Sequence, residues 1–158
     1  MPTAVWATPL LGDQYYPALI DLIKQAKVSI DVAQYNFTFR RWERNNCITQ
    51  ITEALMTAQR RGVIVRVLFS NQSINHAITQ ANQRTLKKLG SAGVQAKMTM
   101  INPVLHAKLI IVDNEFVMIG SHNLTGRSLL SNYETSVILR SREVAQTYKD
   151  YFNIIFAR

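Results

Sequence analysis

Apolar residues along this chain switch between a two-residue and a three-to-four-residue period, and each switch marks a predicted element. Pro2 and Pro9, with apolar residues between them, suit an extended lead-in or edge strand over Met1 to Gly12. Tyr16, Leu19, Ile20, Ile23 and Ala26 then recur at helical spacing, with Asp13 as the cap and an end near Lys27. Val28 to Gln34 alternates as a strand, and Ile48, Ile51, Leu55 and Ala58 mark a helix that stops at Arg60-Arg61-Gly62. Val63 to Phe69 reads as a strand buried on both faces, so strand, helix and strand predict a right-handed parallel crossover.

Ser70 to Asn75 is polar and predicts a loop, followed by a third helix through Ile78, Ala81, Thr85 and Leu89. Val94 to Met100 alternates again, and Asn102-Pro103 breaks the run. Lys108 to Val112 and Phe116 to Ile119 are short apolar strands, joined by Asp113-Asn114-Glu115 as a tight hairpin turn. A strand over Tyr133 to Arg140 and an amphipathic helix over Glu143 to Phe156 complete the set. With no internal repeat or linker, the pattern predicts one α/β domain over residues 1–158, a mixed, largely parallel β-sheet flanked by helices.

Composition adds partners to this picture. At 158 residues with 47% hydrophobic positions, the chain can bury a substantial core. Eighteen Lys and Arg against ten Asp and Glu leave a net charge of +8, which favours nucleic acid or anionic lipid, although a basic balance can also serve solubility alone. The one cysteine, Cys47, allows no intramolecular disulfide, fits no zinc spacing and reads as a small buried apolar residue. No window approaches the ~18 apolar residues of a membrane span, and the N-terminus lacks a leader pattern. The chain as written predicts a soluble, cytoplasmic protein without membrane binding; a mature form whose leader had been removed would read the same way.

Two stretches carry candidate chemistry. Tyr35 to Asn46 interleaves Arg40, Arg41 and Arg44 with Phe37, Phe39 and Trp42, which suits phosphates and unstacked bases, or else an ordinary solvated loop anchored by rings. In Leu105 to Thr125, a strand through Ala107 to Val112 would put His106 and Lys108 on one side. A lysine there is costly to bury without an anion, so the pair predicts a site that receives negative charge. Ser121 and Asn123 add a hydroxyl and an amide, and Gly120 lets backbone approach closely, which together describe an oxyanion or phosphate cradle. A metal is disfavoured, because Asp113 belongs to a turn and Lys108 would repel a cation beside His106. No cofactor is implied.

The pattern His106-x-Lys108-x4-Asp113-x6-Gly120-Ser121-x-Asn123 resembles the HKD signature of the phospholipase D superfamily. Tyr35-Asn36-Phe37-Thr38, the helix ending Arg60-Arg61-Gly62-Val63, and Asn132-Tyr133-Glu134 resemble the small bacterial HKD endonucleases. The likeness covers roughly Asp13 to the C-terminus and implies a phospholipase D-like fold. It further implies that His106 attacks phosphorus to give a phosphohistidine, while a second histidine protonates the leaving oxygen and then activates water. Lys108, Ser121 and Asn123 would bind the nonbridging oxygens, and Glu134 resembles the family's carboxylate that orients a histidine. Asp113 belongs to the motif, but a hairpin-turn role explains it equally well.

The mechanism needs two histidines and the chain carries one motif copy. His76 and His122 lack a lysine two positions on, and His122 alternates away from Ser121 in an extended segment. A homodimer with two His106 side chains meeting at a two-fold axis is the expected solution. The predicted function is a metal-independent endonuclease on DNA or RNA. A phospholipase D or phosphatidyl transferase, and a noncatalytic nucleic-acid-binding or scaffold domain, are the competing readings.

Overall fold

A computed structural model describes residues 4–40, 46–72 and 74–158. In chain order the elements are β1 (Trp6–Leu11), a 3-10 turn over Gly12–Gln14, α1 (Tyr15–Gln25), β2 (Ser29–Gln34), α2 (Cys47–Arg60) and β3 (Ile64–Phe69). There follow α3 (His76–Gly90), β4 (Gln95–Met98), β5 (Lys108–Val112), β6 (Phe116–Gly120), α4 (Gly126–Leu130), β7 (Thr135–Arg140) and α5 (Arg142–Phe156). The strands make one seven-stranded sheet in the order β1-β7-β6-β5-β2-β3-β4.

The sheet is mixed and helix-flanked, as the periodicity predicts, but its balance differs from the expectation of a largely parallel one. Parallel pairing is confined to β2-β3 and β3-β4, while β1-β7, β7-β6, β6-β5 and β5-β2 are antiparallel. Connection length explains the division. Helical crossovers return the chain to run parallel, whereas the β5-β6 turn reverses it directly. In that turn Asp113 and Asn114 both have positive φ, +54° and +52°, and Glu115 N–H donates to the Val112 carbonyl at 3.0 Å, the geometry of a type I′ hairpin.

Apolar side chains pack on both faces. On one face Leu19 and Ile23 of α1, Ile51 and Leu55 of α2 and Leu89 of α3 meet Ile30, Val32 and Val67. On the other, α5 covers Leu68, Leu109, Ile111 and Val117 with Ala145 and Phe152. Charge also seats α5: Asp31, fully buried on β2, accepts from Arg66 Nε at 2.6 Å and lies 3.6 Å from Lys149 Nζ, while the Arg66 guanidinium covers the Phe152 and Phe156 rings. Because α5 carries Lys149 toward Asp31, its register along the sheet is set, and so is the position of the tyrosines it carries toward the C-terminal end of β6.

β1 lies at the sheet edge, where Pro9 can replace an amide without breaking a ladder on both sides. Among the described residues no helix is long and apolar enough to cross a membrane.

Candidate active site

Lys108 opens β5, and its partner in the antiparallel register with β2 is Gln34, the last residue of that strand. His106 precedes β5 and is exposed. The Lys108 side chain curls back over it: Nζ donates to the His106 carbonyl at 2.9 Å and stands 3.2 and 3.3 Å from the two ring nitrogens. The Tyr35 ring packs at 4.7 Å from the imidazole, and Lys108 Nζ sits 5.2 Å from that ring's centroid. Partial burial pushes the lysine ammonium below its ordinary range, and the Glu134 carboxylate offsets part of that effect. The expected pairing of His106 with Lys108 on one side is thus a direct contact.

Ser121 follows β6 and Glu134 precedes β7, and the β6-β7 pairing brings them together. Ser121 Oγ donates to Glu134 Oε2 and accepts from Thr135 N–H at 3.0 Å. Ser128 Oγ donates to Glu134 Oε1 at 2.9 Å and accepts from the Asn123 N–H at 2.9 Å. Asn132 Nδ2 donates to the same oxygen at 3.2 Å. Burial alone would raise the Glu134 pKa, but the hydrogen bonds from Ser121, Ser128 and Asn132 outweigh it, and with the charge of His122 they hold this carboxyl below the ordinary glutamate value. The carboxylate therefore orders both the Ser121 hydroxyl and, through Ser128, the Asn123 backbone. Among the described residues of this one chain no hydrogen bond joins Glu134 to His106; the carboxylate's hydrogen bonds go to Ser121, Ser128 and Asn132.

His106, Lys108, Gly120, Ser121, Asn123 and Glu134 line one open cleft of about 690 Å³. Tyr148 and Tyr151 of α5 border it as well. Asn123 turns its Oδ1 into a buried position without a partner among the described residues. Gln34, fully buried beside Lys108 in the register, likewise has neither amide atom paired there. An exposed imidazole, an ammonium and a set of hydroxyl and amide donors, with the carboxylate turned to those donors, make a receptor for an anionic, electrophilic group.

Other sequence candidates lie elsewhere. Asp113 sits beyond the opposite end of β5, where its carboxylate accepts from the backbone N–H groups of Lys27, Val28 and Ser29 at 2.8 to 3.1 Å. It is a turn and strand anchor, removed from the cleft. Gly120 borders the cleft, but the close approach that requires it comes from β7: an added Cβ would overlap the Ser136 side chain and Cα and the Thr135 carbonyl. Arg40 is exposed beside a separate hollow of about 500 Å³, shared with Asn36, Thr38, Asn46 and Arg127. Arg41 and Arg44 lie outside the described residues.

His122 is fully buried and stacked on Tyr15 at 4.3 Å. Its Nε2 is 2.8 Å from the Gly12 carbonyl and its Nδ1 2.7 Å from Ser136 Oγ. A carbonyl only accepts, so Nε2 carries a proton toward Gly12. His76 is exposed at the start of α3. His106 is therefore the one histidine of the three that faces the cleft. Sequence reasoning missed Ser128, Gln34 and the cleft side of Tyr148 and Tyr151. For the tyrosines, the helical period that marks Tyr148 as core conceals that the rim of the same face reaches the cleft.

A model of the family described as "Cardiolipin synthase, PLD-like domain" matches residues 19–156, and the chain belongs to this family of phospholipase D-like domains. A phospholipase D of Rickettsia felis is 33% identical over 98 residues, 62% of this chain and 46% of that protein. Cardiolipin synthase B of Escherichia coli is 32% identical over 104 residues, 66% of this chain and 25% of that protein. The chain thus spans less than half the length of these relatives. Among solved structures, the phospholipase D family member Nuc from Salmonella typhimurium superposes with a TM-score of 0.81 at 22% identity, covering 98% of this chain and 95% of that one. NucT from Helicobacter pylori gives 0.74 at 20% identity and covers 97% of that chain. These likenesses establish the phospholipase D-like fold.

Proposed function

We propose that the domain hydrolyses phosphodiester bonds of nucleic acid in two steps through a phosphohistidine, without a metal ion. The observation that carries this reading is the single cleft in which His106, Lys108, Ser121 and Asn123 converge around space for a phosphate. A ring nitrogen of His106 forms the bond to phosphorus as the ester P–O bond breaks, and a second histidine gives the leaving oxygen its proton. That histidine then takes a proton from water, which attacks phosphorus, frees His106 and releases the phosphomonoester. Lys108 and Asn123 hold the nonbridging oxygens while charge shifts among them. With the Lys108 ammonium 3.2 Å from the His106 ring, a divalent cation beside that imidazole would meet direct repulsion.

Since only His106 of this chain faces the cleft, the second histidine comes from His106 of a second copy. A nucleic-acid substrate agrees with the +8 charge and the Arg40 side of the molecule. The likeness to Nuc and NucT over almost their full lengths supports a compact domain of this kind acting as a unit. The relatives named phospholipase D and cardiolipin synthase favour a second reading, phosphatidyl transfer or hydrolysis at the same cleft. Incubation with plasmid and single-stranded DNA in EDTA, beside a His106→Ala control and a phosphatidyl ester, separates them. Cleavage of DNA by the wild type alone supports the first reading; untouched DNA with turnover of the lipid ester replaces it with the second.

A further inference from the structure

Several arginines of this chain are engaged within the fold: Arg61 donates to the Ile23 and Ala26 carbonyls at 3.1 Å, Arg66 pairs with Asp31, and Arg140 pairs with Glu115. Arg127 of α4 differs. It is exposed, and its guanidinium makes no hydrogen bond or ion pair among the described residues. It borders the hollow of about 500 Å³ whose wall also includes Arg40, and no Asp or Glu is among the described residues that line this space. The planar fork of donors on Arg127 is thus open to an anion, and the geometry that satisfies it is that of a phosphate or carboxylate.

A polar track joins this hollow to the His106 cleft. The Thr38 N–H donates to the Leu124 carbonyl and the Leu124 N–H to the Asn36 carbonyl, each at 3.0 Å, so residues 36–38 and 123–125 run side by side as a short parallel pair. Phe37 and Leu124 are fully buried in the core, and alternation turns their polar neighbours the other way. Asn123 then lines the cleft, whereas Asn36, Thr38 and Thr125 line the hollow. Asn123 and Thr125 are two residues of extended chain apart, roughly 7 Å, which is about twice the 3.4 Å rise per nucleotide of a stacked duplex strand. A strand drawn out until its bases unstack has phosphates at that wider spacing.

We infer that the hollow walled by Arg40 and Arg127 binds the phosphate next to the scissile one, so that the preferred substrate is an extended single strand lying across cleft and hollow. The inference rests on the proposed function, which supplies the nucleic acid, and adds the residues that hold a second phosphate and the strand form they accept.

The test follows cleavage of defined oligonucleotides by the full chain. Wild-type kcat/KM is expected to rise at least ~10-fold from a dinucleoside monophosphate to a single-stranded trinucleoside diphosphate, and to fall back when the flanking phosphate is replaced by a neutral methylphosphonate. Arg127→Ala, checked as folded by circular dichroism, is expected to lose that rise and to flatten the salt dependence of binding a longer single strand by about 0.7 in log–log slope. Arg60→Ala removes the same charge at the far end of α2, roughly 20 Å from the hollow, and is expected to keep both. Full retention of the rise in Arg127→Ala, equal losses in the two variants, or cleavage of a duplex as fast as of its single strand overturns the second phosphate site and leaves the nuclease reading standing. A wild type that turns over a small chromogenic phosphodiester but no oligonucleotide overturns the nucleic-acid reading, and this inference with it.

Discussion

Lys108 and Asp113 stand at opposite ends of β5, five residues and roughly 16 Å apart, and both belong to the same sequence signature. At the Lys108 end polar capacity is unmet: the ammonium contacts its neighbouring histidine and the Tyr35 ring, the buried Asn123 Oδ1 and Gln34 amide have no partner among the described residues, and the cleft is open. At the Asp113 end the carboxylate is saturated by three backbone N–H groups and holds a left-handed turn residue in place. One end stores unmet capacity for hydrogen bonding and charge, which is what binding a phosphate consumes. The other has none left to offer. Co-occurrence in a motif therefore says that two residues are needed, and the surroundings of each say for what.

That contrast can be broken most directly by exchanging its predicted symptoms. His106→Ala is expected to lower kcat by at least ~10³-fold with no change in melting temperature, measured on the same preparation by kinetics and by calorimetry. Asp113→Ala should do the reverse. It strands three N–H groups and costs on the order of 1–3 kcal/mol, or several degrees of melting temperature, while activity per folded molecule survives. A large loss of kcat in a folded Asp113→Ala protein would end the distinction.

Gly120→Ala probes the strand beside both ends. The added methyl must displace β7, at about 1–3 kcal/mol, and because β7 follows Glu134 directly, kcat should fall along with stability.

The pH dependence sharpens the picture further. Lys108 binds an anion only as the ammonium, and its pKa is lowered, so kcat/KM should decline on the alkaline side at a pH below the ordinary lysine value of ~10.4. Lys108→Arg keeps its charge and should lose that limb. For Glu134 the folded pKa is depressed; its contribution to stability is complete above the ordinary glutamate value of ~4.3 and is lost as pH falls through the lower folded value. A denaturation midpoint followed from pH 6 to 3 should show this loss in wild type and its absence in Glu134→Gln. The smallest effect is assigned to Gln34→Leu, which removes two unpaired buried amide atoms and should raise stability by about 1 kcal/mol. A drop in the denaturation midpoint would show that the amide is paired in solution.

Most elements were legible from periodicity because each buries one stripe or face. The I′ turn was legible because Asp and Asn tolerate positive φ. The antiparallel majority was not, since apolar strands buried on both faces look alike whichever way their neighbours run, and β2 and β5 are such strands. α4 escaped notice because five residues carry no period. Within the cleft, His106, Lys108, Ser121, Asn123 and Glu134 could be picked out by spacing and resemblance. Ser128 could not, because its part depends on the chain folding back through α4 to reach Glu134. Spacing also made Gly120 conspicuous for the wrong neighbour, since nothing local to it announces Ser136.

The crowding at Gly120 has a consequence for how this chain can change over time. Ser136, which fills the space above Gly120, is the hydroxyl partner of His122; His122 in turn grips the Gly12 carbonyl, and the Gly12 N–H donates to the Glu134 carbonyl. A larger residue at 120 meets the Thr135 and Ser136 backbone as well as the serine hydroxyl, so a smaller residue at 136 does not make room for it and β7 itself must shift, which disturbs the hydroxyl partner of His122 and the segment that presents Glu134. Positions 12, 120, 122 and 136 are thus linked, and single replacements among them are harmful. Sequence drift should be slow there even though none of the four touches phosphate.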